Sequence, residues 1–204
     1  MIGIIDYGLG NLSSVLNAFN TINCHAEIFD NPKHIKKYKH LILPGVGSFE
    51  AGIKALKMKN WPEGIYEHVE LKKPLLGICL GMQLLFTKGE EYGVHNGLGL
   101  IKGVVKKMEL ESHLKLPHIG WNNLANMKSH PLFKDIENNT DFYFVHSHVC
   151  IPENNNSIFA EFNYGNHFAA CVSKQNIFGT QFHPEKSASP GITLLKNFHN
   201  WQAK

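Results

Sequence analysis

A chain of 204 residues, 43% of them apolar, has enough material for one packed core, and a single domain over residues 1–204 is expected. The formal net charge of +3, with no basic stripe interleaved with aromatics, argues against a nucleic-acid partner; no apolar run reaches the roughly 20 residues that cross a bilayer. The four cysteines, at 24, 79, 150 and 171, form no Cys-x-x-Cys pair, and the N-terminus lacks a basic region followed by a long apolar one, so a cytoplasmic setting with reduced thiols is expected.

Apolar runs bounded by Gly, Pro or Asn predict buried strands at 2–8, 26–30, 40–47 and 74–81. Between the first two, Leu12, Val15, Leu16 and Phe19 recur at helical spacing. The basic stretch "KHIKKYKH" at 33–40 reads as a solvated helix face. Ile53 with Leu56, and Ile65 with Val69, place two more helices after Ser48 and Pro62. From about residue 98 the texture changes to strand after strand, as in "DFYFVHSHV" and "SIFAEFNYG", before a closing helix with Leu194, Phe198 and Trp201 on one face. The expected class is α/β: a mostly parallel central sheet with helices on both faces, plus an antiparallel strand extension.

In open parallel sheets, ligands sit beyond the carboxyl ends of the strands. Three glycine-bearing turns, 6–10, 44–47 and 77–81, fall at such ends. The last is Gly77-Ile78-Cys79-Leu80-Gly81, the spacing of a nucleophile elbow with cysteine as the reactive residue. Glycines on either side let strand and helix approach closely while the thiol stays above the sheet edge. The alternative for Cys79 is a small core hydrophobe, and that buried structural role is expected of Cys24, Cys150 and Cys171, which lack an elbow. A cysteine nucleophile needs a base and the base an orienting group, which His183 and Glu185 around the rigid Pro184 can supply. His146 and His148 share one face of a predicted strand, a spacing that suits two metal ligands or two imidazoles lining a polar cleft; no further ligand cluster accompanies them, and no metal is assigned. "PHIGWNNL" at 117–124 reads as a sheet edge or contact surface.

With these motifs in order, the chain resembles the class I glutamine amidotransferases, and among them the glutaminase subunits of imidazole glycerol phosphate synthases. "YGLGNLSSV" at 7–15, "LPGVGSFEAG" at 43–52, "GICLGMQLLF" at 77–86, "PHIGWN" at 117–122, "YFVHSH" at 143–148 and "GTQFHPEKS" at 179–187 carry the resemblance end to end. The elbow and "FHPE" belong to the whole class; "YGLGN", "PGVG" and "PHIGWN" point to the subfamily.

The resemblance implies a Cys79–His183–Glu185 triad that releases ammonia from glutamine through a cysteine thioester. It implies an oxyanion hole from the backbone of Leu80 and of the turn at Val46 and Gly47, and glutamine held by Gln83 and the main chain of Ser147 and His148. His148 stands where relatives commonly carry tyrosine. No cofactor is implied. The implied partner is a (β/α)8-barrel synthase, forming a heterodimer through Tyr7, Asn11, Trp121, Asn122 and Lys186, that uses the ammonia in histidine biosynthesis. Two other readings stand beside it: ammonia supplied to a different, sugar-modifying amidotransferase, and a stand-alone cysteine hydrolase. A binding subunit with a vestigial triad ranks below both.

Overall fold

The predicted apolar runs become the spine of the molecule in the computed structural model, which describes residues 1–203. In chain order the elements are β1 (Ile2–Ile5), α1 (Leu12–Thr21), β2 (Ala26–Phe29), β3 (His40–Leu43), α2 (Phe49–Met58), α3 (Trp61–Glu70), β4 (Leu75–Ile78) and α4 (Leu80–Leu84). Then come β5 (Phe86–Gly89), β6 (His95–Asn96), β7 (Ile101–Lys107), β8 (His118–Asn123), β9 (Asp141–His146), β10 (His148–Pro152), β11 (Ile158–Tyr164), β12 (Asn166–Lys174), β13 (Ile177–Thr180) and α5 (Ala188–Asn200).

The central sheet runs β11-β12-β13-β4-β3-β1-β2. The five strands from β13 to β2 are parallel, and β12 and β11 add antiparallel to that edge. All of β1 and β4 is buried, as strands covered on both faces must be. Side chains alternate between two apolar clusters: Ile42 packs with Phe19 of α1 and Leu194 and Phe198 of α5, whereas Leu41 and Leu43 pack with Phe49 of α2 and Trp61 of α3. Helices therefore cover both faces, as expected. No helix among the described residues is long and apolar enough to cross a membrane.

Local chemistry explains the helix starts. The Ser48 side chain accepts from the Ala51 N–H at 3.4 Å, capping α2, and Pro62 occupies the first turn of α3, where a missing N–H costs nothing. The basic stretch departs from the expected regular helix. Pro32–Lys37 is a 3-10 turn whose lysines are held at the surface by Lys36–Glu67 at 2.8 Å and Lys37–Glu27 at 2.6 Å, and Tyr38 is buried.

The strand extension is larger and more mixed than expected. A second sheet, β10-β7-β5-β6, pairs β5 with β7 in parallel, because the long connection after β5 returns the chain in the same direction. The strands β8 and β9 form a separate antiparallel pair. Cys150 and Cys171 are buried, and burial pushes both thiols well up, whereas Cys24 is only half-buried, contrary to expectation, because it lies on the loop that leaves α1.

Candidate active site

β4 ends at Cys79, which takes φ 53° and ψ −110°, a region that side chains rarely occupy. Two backbone bonds hold it there: its N–H donates to the Thr180 carbonyl at 2.7 Å, and its carbonyl accepts from the Gln83 N–H at 3.2 Å. The glycines are required by proximity. A Cβ at Gly77 would lie 2.7 Å from the Gly81 carbonyl oxygen, and one at Gly81 would lie 1.7 Å from that of Leu43. The elbow expected from the spacing is therefore built by backbone crowding between β3, β4 and α4.

From β13, beside β4, the chain leaves the sheet through Gln181 and Phe182 to His183, whose N–H donates to the Tyr143 carbonyl at 2.9 Å. Pro184 then opens a single 3-10 turn, Pro184–Lys186, that folds Glu185 back under the imidazole. His183 Nδ1 and Glu185 Oε1 are 2.8 Å apart, with both side chains 2% exposed. The other ring nitrogen, Nε2, is buried, close enough to feel the Cys79 sulfur but outside regular hydrogen-bond geometry. Burial by itself would lower the pKa of this imidazole, but the close Cys79 sulfur, the hydrogen bond to Glu185 and the charge of both raise it to about 10.

A histidine whose pKa rises on folding stabilises the fold fully below its unfolded value of about 6.5, and that contribution is lost as pH climbs through about 10. Replacing Glu185 by glutamine is accordingly expected to lower the melting temperature most near pH 6, with the gap to the wild type narrowing toward pH 10. Parallel melting curves across that range in both proteins would overturn this account of the pair.

Above the thiol lies a cavity of about 280 Å³ whose walls include Val46, Gly47, Cys79, Leu80, Gln83, His148 and His183. A larger hollow of about 510 Å³ around His130 and Phe133 shares none of these residues and holds no such pair of nucleophile and base. Gln83 donates from Nε2 to the His148 carbonyl at 3.3 Å and to Gln181 Oε1 at 3.2 Å. The Ser147 carbonyl accepts from the Met108 N–H at 2.9 Å, fixing the segment from the other side. Across the mouth, Val46 is 41% exposed, and Gly47, at φ 101°, has open space where a Cβ would stand.

The expected triad, oxyanion-hole and glutamine residues thus meet around one cavity. Two groups there have no counterpart among the sequence expectations. Gln181, fully buried, donates from Nε2 to the Cys79 sulfur at 3.8 Å; beside the equally buried Thr180, nothing in the local sequence marks it. Glu91 accepts from the Phe49 N–H at 2.8 Å and stands 3.7 Å from the His148 ring; nothing in its loop sequence marks it.

Tyr7, expected on the partner-facing surface, is instead only 1% exposed and packed against Gly45 and Leu80, with its hydroxyl unpartnered. Burial, and then the neighbouring Cys79, push its phenol far up and keep it neutral. The other four interface residues lie on adjoining elements. Asn11 precedes α1 and makes no side-chain cap; α1 packs on the turn bearing the exposed Lys186; that turn packs on β9, which pairs with β8 carrying Trp121 and Asn122. Trp121 is 55% exposed and rests edge-on against Tyr143. His146 and His148 do not share a face of one strand: a turn at Ser147 separates them, His146 pointing to His118 and His148 to Glu91.

The family described as Glutamine amidotransferase class-I matches residues 3–201, and the chain belongs to that family. Within it, the chain is 49% identical over 199 residues to "Imidazole glycerol phosphate synthase subunit HisH 1" of Campylobacter jejuni (strain RM1221), covering 97% of this chain and 98% of that one. The same subunit of Sulfurimonas denitrificans is 44% identical over 205 residues, covering 99% of both chains, and subunit HisH 2 of Pseudomonas aeruginosa is 42% identical over 199, covering 97% of this chain and 98% of that one. Among solved structures, "Structure of PurLQS from Thermotoga maritima" superposes with a TM-score of 0.77 at 18% identity, covering 98% of this chain and 97% of that one, a likeness of fold.

Proposed function

We propose that this chain is the glutaminase subunit of an imidazole glycerol phosphate synthase, cytoplasmic and working as a heterodimer with a barrel synthase that makes imidazole glycerol phosphate in histidine biosynthesis. The observation that carries the reading is Cys79 on its elbow, sharing a cavity with a buried His183 bonded to Glu185, in a chain 42% to 49% identical to HisH subunits over nearly its full length.

Glutamine enters the cavity with its side-chain amide over Cys79, held by Gln83 and by the main chain at Ser147 and His148. With the proton of the thiol already held on His183 Nε2, Sγ attacks the amide carbon. The carbonyl oxygen becomes an oxyanion, held by the Leu80 N–H and an N–H from the turn at Val46 and Gly47. Collapse breaks the C–N bond, His183 returns the proton to the departing nitrogen, and ammonia leaves a γ-glutamyl thioester. Water, deprotonated by the same imidazole, attacks the thioester and frees glutamate. Glu185 holds the ring in the tautomer with hydrogen on Nδ1 and stabilises its cationic form.

Free ammonia in neutral water is mostly ammonium, which has no lone pair for attack, so transfer to an enclosed partner preserves the nucleophile. A turn free to rotate before its N–H points inward would keep hydrolysis low until the partner is ready. The test is glutamate release by the purified chain, alone and with the barrel synthase of the same organism plus its ribonucleotide ligand. Stimulation of at least about tenfold is expected. No stimulation of a folded chain would favour a different acceptor, such as a sugar-modifying amidotransferase, and brisk release without a partner would favour an independent hydrolase.

A further inference from the structure

His146, one of the residues lining the cavity, and His118 behind it are buried and bonded to each other. His146 Nδ1 lies 2.9 Å from the His148 carbonyl oxygen, His146 Nε2 lies 3.2 Å from His118 Nδ1, and His118 Nε2 lies 3.3 Å from Asn122 Nδ2. The same His148 oxygen accepts from Gln83 at 3.3 Å. The protons follow by elimination. A carbonyl only accepts, so His146 carries its hydrogen on Nδ1, and in the neutral ring its Nε2 must accept. His118 must then donate from Nδ1, which leaves its own Nε2 to accept from Asn122.

The Asn122 amide has one orientation available, because its Oδ1 accepts from the Asn123 N–H at 2.8 Å and its nitrogen donates to the Asn163 carbonyl at 2.9 Å. Every link is satisfied in a single direction, from Asn122 on β8 through both rings to the His148 carbonyl. The surroundings keep both rings neutral: His118 is stacked on Phe162 at 5.3 Å and packs against Phe144 and Tyr164, and burial lowers its pKa and takes that of His146 to about 3.

We propose that His118 and His146, both with hydrogen on Nδ1, are positioning residues that aim the Ser147–His148 main chain at glutamine and tie that aim to Asn122 on the edge strand. The inference rests on the cavity being the glutamine site, as proposed above. Neither ring touches the reacting atoms in this account, so their loss changes how well glutamine is held more than how fast it is cleaved.

The tautomers can be read directly. In the full chain with 15N-labelled histidine at pH 7, the signals of His118 and His146, identified by their loss in His118→Gln and His146→Gln, are expected to show hydrogen on Nδ1 and none on Nε2. An Nε2–H tautomer or a doubly protonated ring at either position overturns the relay. For function, His118→Phe keeps a stacked ring and removes both nitrogens. In complex with the synthase, its glutamine KM is expected to rise about tenfold with kcat within about twofold, and His118→Gln, which can both donate and accept, is expected to recover most of the loss. An unchanged KM, a loss confined to kcat, or no recovery by glutamine overturns the proposal. If the phenylalanine variant does not fold, the tautomer measurement decides. A wild-type complex that hydrolyses no glutamine overturns the functional reading itself, and is distinguished because it needs no variant.

Discussion

Replacing Cys79 by serine is expected to cut glutamate release by about a thousandfold or more while leaving the complex with the synthase intact. A serine hydroxyl holds its proton far more tightly than a thiol, so His183 has to remove it at a much higher cost. The elbow itself does not depend on sulfur. It is held by the Cys79 N–H to Thr180 bond at 2.7 Å and the Gln83 N–H to Cys79 bond at 3.2 Å, both of which a serine backbone reproduces. A glutamate-release assay with the synthase present, paired with size-exclusion chromatography of the complex, tests both halves. Undiminished hydrolysis in the variant would remove Cys79 as the nucleophile.

The second large effect concerns the backbone beneath that cysteine. Gly81→Ala would place a methyl carbon 1.7 Å from the Leu43 carbonyl oxygen and 2.8 Å from its carbon. Main chain of a central strand cannot move aside as a side-chain tip can, so β3 and α4 must separate. A loss of about 3 kcal/mol or more in urea unfolding is expected. Gly64→Ala provides the comparison, because in α3 the nearest atom to its added carbon is the flexible tip of Ile35 at 3.2 Å. That variant is expected to stay within about 1 kcal/mol of the wild type, helped by the better helix propensity of alanine. Equal stability of the two variants would overturn the crowding argument.

The parts of the structure legible in the sequence were those set by short-range signals. β1 and β4 are short apolar runs buried along their whole length, as strands covered on both faces are, and Ser48 and Pro62 mark helix starts by chemistry local to a few residues. What was not legible depended on distance in space. Phe86–Gly89 carries too short an apolar signal to be read as a strand, yet it becomes one because β7 lies alongside it. Tyr7 follows a strand end beside Gly8, which suggests a surface turn; its burial depends on Gly45 and Leu80, dozens of residues away. In the site, the elbow and the His–Glu pair were readable because each lies within a few residues. Gln181 and Glu91 were not, because their partners, Cys79 and His148, come from remote segments.

The pair β8 and β9 has one more consequence. β8 pairs with β9 and is tied to β11 by the Asn122 amide and, just past its end, by the Ala125–Glu161 bridge, while Ile119 at 60% and Trp121 at 55% exposure stand out from it. Large apolar side chains standing exposed side by side are a surface on which identical copies can associate. If the proposed synthase covers that strand, a cell that makes more of this chain than of the synthase is left with a surplus prone to precipitate. Matched synthesis of the two is therefore a matter of solubility as much as of flux. In the laboratory, the same strand predicts a higher yield of dispersed protein when both chains are produced together.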